Sequence, residues 1–197
     1  MDHEAVVESA LKAAEISYER PQPGAFLVRL PGQHKLATMT WLTISDQALH
    51  VEAFFCRRPD ENHLEFYRWL LTKNGSMYGV HFALDQIGDV HLVGRVPLDA
   101  VSDQEIDRLL GCVLTYADEW FDRALELGFA SSIRREWDWR VRRGESLANL
   151  RAFEGIVERG RRQDGPGPAG ESRPPETGGS RPQEAGEGRP PEAGEGR

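Results

Sequence analysis

Cys56 is followed directly by Arg57 and Arg58. Adjacent guanidinium groups can lower a thiol pKa and turn it into a nucleophile. The phosphatase spacing, an Arg six positions after the Cys, is absent because position 62 is Asn. Cys56 also ends an apolar run, so packing is the preferred reading and a reactive thiol the alternative. Cys112, beside Gly111 within a helical pattern, reads as packing.

Six histidines offer ligands or acid–base groups: His3, His34, His50, His63, His81 and His91. A metal site needs ligands that converge on one point. Tyr78, Val80, Phe82 and Leu84 alternate, as do Val90, Leu92 and Val96. Pairing residue 84 with 92 brings the two apolar sets onto one face of a hairpin. That register sets His81 opposite Arg95, roughly 13 Å from His91 at ~3.3 Å per residue, so the two cannot share an ion. It sets His91 opposite Asp85. A His–carboxylate pair is half of an acid–base site or a pH-sensitive contact. No nucleophile stands beside it, so a structural pair is preferred. Asp85 and Asp89 flank a hairpin tip with Gly88, and their spacing fits a turn, not an EF-hand loop. No Rossmann or P-loop spacing is present, and no motif implies a cofactor or a metal.

Arg134, Arg135, Arg140, Arg142 and Arg143 crowd ten residues with Trp137 and Trp139. On a helix, Arg135, Trp139 and Arg142 lie near one face, and Ile133, Trp137 and Arg140 near another. Arg and Trp are favoured at partner hot spots and in aromatic or phosphate contacts. Arg134, Arg135, Trp137 and Arg140, with Arg57 and Arg58, are therefore the candidate partner-binding residues. The competing reading packs one Trp on the core and pairs the arginines with Glu136, Asp138 and other acids.

These groups need elements to hold them. Asp2 can cap a helix from His3 to Ile16 whose stripe is Val6, Val7, Ala10, Leu11 and Ala14. Pro21, Pro23 and Gly24 punctuate the chain. Three strands follow: one through Phe26, Val28 and Leu30, one over about 35–44, and one from Leu49 to Cys56. Their short connections imply an antiparallel meander. Asp60 is the expected cap of a second helix that Gly75 ends in a left-handed conformation. After the hairpin, Ser102 and Glu105 form a capping box for one long helix to about Leu127, with Gly128 as its stop. Ser131 or Ser132 can cap a short helix to Arg143, which Gly144 interrupts. Leu147, Leu150, Phe153, Ile156 and Val157 mark a last amphipathic helix.

From Arg161 to Arg197 the chain holds seven Pro and nine Gly but no Val, Ile, Leu, Phe, Tyr or Trp. With nothing to bury, such a segment is expected to stay unfolded. Arg173-Pro174-Pro175-Glu176 opens a near-repeat of eight residues. Of the net charge of −8, the tail carries −1 and the body −7. An acidic body argues against general nucleic-acid binding, which rests on neutralising phosphates. No apolar run approaches membrane-spanning length, and the start lacks a secretory apolar region. Two cysteines make no disulfide framework. A cytoplasmic location is the expectation.

Certain phrases carry a resemblance. They are Pro21-x-Pro23-Gly24-x-Phe26, Leu30-Pro31-Gly32-x-x-Lys35-Leu36, Phe55-Cys56-Arg57-Arg58-Pro59-Asp60-Glu61-Asn62, Gly88-Asp89-x-His91-Leu92-Val93-Gly94, and the run from Gly128 to Trp137. Together they resemble the actinobacterial branch of the YbjN family, over about residues 4–145. That family is described as sensory transduction regulators of bacteria, without an established active site to carry over. The resemblance implies a fold like that of type III secretion chaperones, which dimerise and hold extended client segments.

The expected fold is α+β: an antiparallel, roughly five-stranded sheet packed by helices in the order α-βββ-α-ββ-α. It is divided into a domain over 1–145, an amphipathic helix over 146–160 and a disordered tail over 161–197. The expected function is a non-enzymatic protein-binding module, chaperone- or adaptor-like, with a protein partner and with a homodimer as an open alternative. The competing classes are an enzyme or small-molecule sensor using Cys56 or His91 and Asp85, and a nucleic-acid-binding regulator using the Arg134–Arg143 helix.

Overall fold

The computed structural model describes residues 2–163. The expected unfolded tail lies outside them from residue 164 onward. The last helix runs to Gln163, past the expected boundary at 160.

The first helix, α1 (His3–Ala13), is capped as its sequence predicts: the Ala5 N–H donates to Asp2 Oδ1 at 3.2 Å. The sheet has six strands rather than five. They are β1 (Tyr18–Gln22), β2 (Ala25–Pro31), β3 (Ala37–Ile44), β4 (Ala48–Cys56), β5 (His81–Leu84) and β6 (Val90–Pro97). Every pairing is antiparallel, in the spatial order β1-β2-β3-β4-β6-β5. The additional strand is β1, whose Pro21 reads as a break. As an edge strand it leaves one side without a ladder, so a residue with no N–H is tolerated there.

Alternation along the strands sorts the two faces. Phe26, Val28 and Leu30 of β2, Leu42 of β3, Leu49, Val51, Ala53 and Phe55 of β4, and Leu92 of β6 are buried. They meet α1, α2 (His63–Asn74), α3 (Asp103–Glu119) and α4 (Phe121–Gly128). The outer face keeps Met39, Trp41 and Phe54 at 40–41% exposure.

Five local expectations are corrected. Leu84 pairs with Val90 and Phe82 with Leu92, so the hairpin is two residues tighter than the 84–92 register. A two-residue slip preserves the faces, so alternation could not separate the two registers. At α2 the N-cap is Asn62 at φ +52°, not Asp60, and Gly75 is right-handed at φ −65°. The long helix breaks at Trp120 into α3 and α4. Its apolar spacing continues through the break with no Gly or Pro to mark it. There Trp120 stacks on Tyr116 at 4.9 Å, and Phe121 turns edge-on to Phe55 at 6.2 Å. Finally, α5 (Ala130–Arg143) takes Phe129 as its N-cap residue, with no side-chain cap. The Ser102 cap of α3 and the left-handed Gly144 after α5 occur where the sequence puts them.

One loop is tied to a helix by a single carboxylate. The N–H groups of Gln33, His34 and Lys35 converge on Asp118, at 3.1, 2.9 and 2.9 Å. Burial pushes the Asp118 carboxyl up, but these three donors outweigh it and hold the group below its ordinary value. Gly32 makes the approach feasible. A Cβ there would lie 2.2 Å from Asp118 Oδ1 and 2.4 Å from the Lys35 carbonyl.

Asp118→Ala should therefore cost about 1–3 kcal/mol in urea unfolding. Gly32→Ala should cost a comparable amount, and the double variant less than their sum, since both break one contact. The depressed Asp118 pKa gives stability that is present above its ordinary value and lost as pH falls through the folded one. The gap between wild type and Asp118→Asn should close on acidification. A gap independent of pH would show that the carboxylate charge plays no part.

Candidate functional site

Beyond Ala53 the ladder between β3 and β4 stops, and β4 bulges against β6 between Phe54 and Cys56. Carbonyls at a bulge lose ladder partners and need other donors. Lys35 supplies them. Its Nζ donates to the Phe54 carbonyl and, at 3.0 Å, to the Phe55 carbonyl. The same ammonium lies 5.6–5.7 Å from the ring centres of Phe54, Phe55 and Phe121.

Lys35 also lines a cavity of about 650 Å³. Phe54, Phe55, Cys56 and Arg57 form one side, and Phe121, Leu125, Phe129 and Ile133 the other. Leu150 and Phe153 close in from a short turn of tight helix at Ala148–Phe153. Asp60, Ser132 and Glu136 supply polar groups. The walls are therefore mostly apolar, with two cations, Lys35 and Arg57, beside aromatic rings.

Burial pushes the Lys35 amine down to about 8, with the Cys56 thiol as the opposing influence. Burial pushes Cys56 up to about 12, against the pull of Lys35 and, more weakly, of Arg57. The thiol stays protonated at neutral pH, so the two arginines after it do not make it a nucleophile. Arg57 instead lies over the Phe129 ring, 5.9 Å from its centre. Arg58 donates its backbone N–H to Asp89 Oδ1 at 2.8 Å.

Two of the sequence phrases that are far apart in the chain lock together here. Asp60 and Glu61 donate their backbone N–H groups to the Gly128 carbonyl at 2.9 and 3.2 Å. The Asn62 amide donates to the Leu127 carbonyl at 2.9 Å. Ser131 donates its N–H and hydroxyl to the two Glu61 carboxylate oxygens, both at 2.7 Å, and the Ser132 hydroxyl donates to Asp60 at 2.8 Å. At Gly128 a Cβ would lie 2.8 Å from Pro59 and 3.0 Å from Phe66, so the join is close-packed. The serines and acids expected to cap helices bind each other across the fold instead.

The arginines of α5 are dispersed. Arg134 donates to the Ser131 hydroxyl at 3.3 Å and lies beside Ile156 and Arg159 of α6 (Glu154–Gln163). Arg135 donates to the Ser132 hydroxyl at 2.8 Å. Arg140 donates to Glu136 at 2.7 Å and to the Ser146 carbonyl at 3.1 Å. Trp137 is buried. Arg143 stacks on Trp139, its guanidinium 4.7 Å from the ring centre. What α5 offers the groove is Ser132, Ile133 and Glu136, and Arg57 is the one candidate cation from the sequence on its lining.

His91 lies on the outer face. It sits opposite Ala83, not Asp85, in the observed register. Its Nε2 is nonetheless 3.6 Å from Asp85, and its Nδ1 3.3 Å from Glu52. Its ring meets Phe54 edge-on at 5.6 Å. Asp85 itself accepts the N–H groups of Ile87 and Asp89 at 3.0 and 2.8 Å, in the turn role.

Lys35 is the group that sequence reading missed. It stands alone in a loop phrase, and only its tie to Asp118 brings it to the bulge. Phe121 and Leu125 stand at helical apolar spacing in the sequence, which does not mark them as groove wall.

Comparison with known proteins gives consistent matches. The YbjN family, described as "Putative bacterial sensory transduction regulator", matches residues 3–126. Uncharacterized proteins of Mycobacterium tuberculosis and Mycobacterium bovis are each 49% identical over 153 residues, covering 75% of this chain and 84% of theirs. One from Mycobacterium leprae is 48% identical over 158 residues, covering 78% of this chain and 86% of its own. Among solved structures, a chain of "Structure of the HopA1-SchA Chaperone-Effector Complex" aligns at TM-score 0.46 and 13% identity, over 61% of this chain and 93% of that one.

The groove's chemistry can be read with reagents. In native protein at pH 8, Cys56 should resist an aromatic disulfide reagent and react only after urea unfolding. Lys35 should be trinitrophenylated faster than Lys12, whose ammonium the Glu8 carboxylate holds above its ordinary value. Peptide mass spectrometry separates the sites. A pH midpoint of labelling as high for Lys35 as for Lys12 would show that burial leaves the Lys35 amine unshifted.

Proposed function

Because this chain belongs to the YbjN family, we propose that it is a non-enzymatic protein-binding module, chaperone- or adaptor-like, acting in the cytoplasm in bacterial signal transduction. The groove between the end of β4 and α5 is the binding site, and an apolar segment of a partner protein is its occupant. One observation carries this reading: a cavity of about 650 Å³ with mostly apolar walls, whose side chains come from five separate stretches of chain. Concave apolar surface with a few placed polar groups is the usual form of a binding site. The family description supports a regulatory setting.

Arg57, on the groove lining, contacts the partner directly in this reading. Arg135 and Arg140, which bind the lining residues Ser132 and Glu136, act at the rim, and Arg58 and Arg134 would join only a partner that extends past the lining. Trp137 supports α5 from beneath. Catalysis is not part of the proposal, since a thiol held at about 12 is a poor nucleophile.

Photocrosslinking tests the site. The amino acid p-benzoylphenylalanine placed at Ile133 should capture a protein partner in cells, whereas the same group at Val141, on the exposed side of α5, should not. Capture at Val141 alone would move the interface off the groove.

A further inference from the structure

We propose that the segment held in the groove carries an acidic side chain, set on the Lys35 ammonium, next to an apolar side chain packed against Phe121, Leu125 and Ile133. The inference rests on the groove being a protein-binding site and names the chemistry it selects.

Charge complementarity carries it. A half-buried ammonium held among rings gains from a counter-charge. Lys35 spends hydrogen bonds on the Phe54 and Phe55 carbonyls, which are neutral. The amine has three donors, so one remains for a ligand. Of the two acids among the described residues of the groove lining, Asp60 accepts from Ser132 and Glu136 accepts from Arg140. Neither is bonded to Lys35. A carboxylate arriving with the partner would supply the missing charge in a low-dielectric setting, where such a pair is strong.

The form of the carboxylate follows from the donors. Capture of a chain terminus uses several backbone N–H groups together. The cluster that ends at Lys35, the N–H groups of Gln33 to Lys35, is already filled by Asp118. The one donor left on Lys35 suits a single side-chain carboxylate, and Arg57, stacked over Phe129, is the competing cation on the lining. The protein's own tail is a poor occupant: residues 161–197 contain Glu but no Val, Ile, Leu, Phe, Tyr or Trp for the apolar wall.

The test uses the full chain and a random peptide library displayed on phage. Wild type and Lys35→Arg should both enrich peptides with Asp or Glu beside a large apolar residue. Lys35→Met, checked for native circular dichroism, should enrich the apolar residue without the acid. Should Lys35→Met fail to fold, the selected peptides still decide the matter. Replacing their acid by the matching amide should weaken binding to wild type about tenfold, the scale of one charge-assisted hydrogen bond. Ile133→Asp should abolish binding. Enrichment of apolar peptides with no acid preference would overturn the carboxylate inference and leave the groove reading intact. An acid preference that survives in Lys35→Met would also overturn it, by assigning the charge to Arg57. No enrichment at all would overturn both.

Discussion

The carboxylate of Asp118 is the point on which the groove depends. It collects three N–H groups from the loop between β2 and β3. That contact joins the sheet to α3 and fixes where the loop ends. Lys35 is the last of the three donors, so the same contact that closes the loop aims its side chain at the bulge in β4. The ammonium then satisfies carbonyls that β3 no longer reaches. Gly32 permits this because any larger residue would stand where the carboxylate stands. A loop phrase with a Gly and a Lys thus becomes a structural device: the Gly admits an acid from a distant helix, and the acid positions the Lys.

The opposite wall is set by an equally local logic. The Gly128 carbonyl accepts from Asp60 and Glu61, while the Asp60 and Glu61 carboxylates accept from Ser132 and Ser131. The exchange runs both ways between the start of α2 and the start of α5. It leaves few polar groups unmatched at a place where two helix ends meet, which is where orphan backbone donors otherwise accumulate. Because these polar groups bind each other, the adjoining side chains of Phe129 and Ile133 are free to line apolar space.

The layers of the fold were legible because strand alternation and helical stripes are properties of one segment at a time. β2, β3, β4 and the capped start of α3 follow from their own residues. What was illegible depends on contacts between segments. Alternation is blind to a slip of two, so the hairpin register was decided by the turn from Asp85 to Asp89 rather than by the faces. The break at Trp120 leaves no mark, because aromatic packing, not a helix breaker, makes it. Asp60, Ser131 and Ser132 have the side chains of helix caps, and local reading assigned them so. Across the fold they found one another first. The site fared similarly. Cys56 and Arg57 are at the groove, but α5 sends its arginines outward to serines and acids, and the cation inside comes from a loop that no motif marks.

The charge of the whole molecule and the charge of the groove point in opposite directions. With a body near −7, an acidic segment is repelled at long range, and that repulsion is screened beyond about 8–10 Å at ordinary ionic strength. Lys35 acts only at contact, from a half-buried position behind aromatic rings. In the proposed reading electrostatic steering would not bring such a segment in, and burial of its apolar side chain would drive association. Under the proposal the ammonium would then act as a filter on what has already docked. A segment with an amide or a second cation at that position would leave the Lys35 charge desolvated and unmatched, which is costly. One with a carboxylate would complete it. Such an arrangement would favour discrimination over speed, since the selective interaction acts at contact and not at long range.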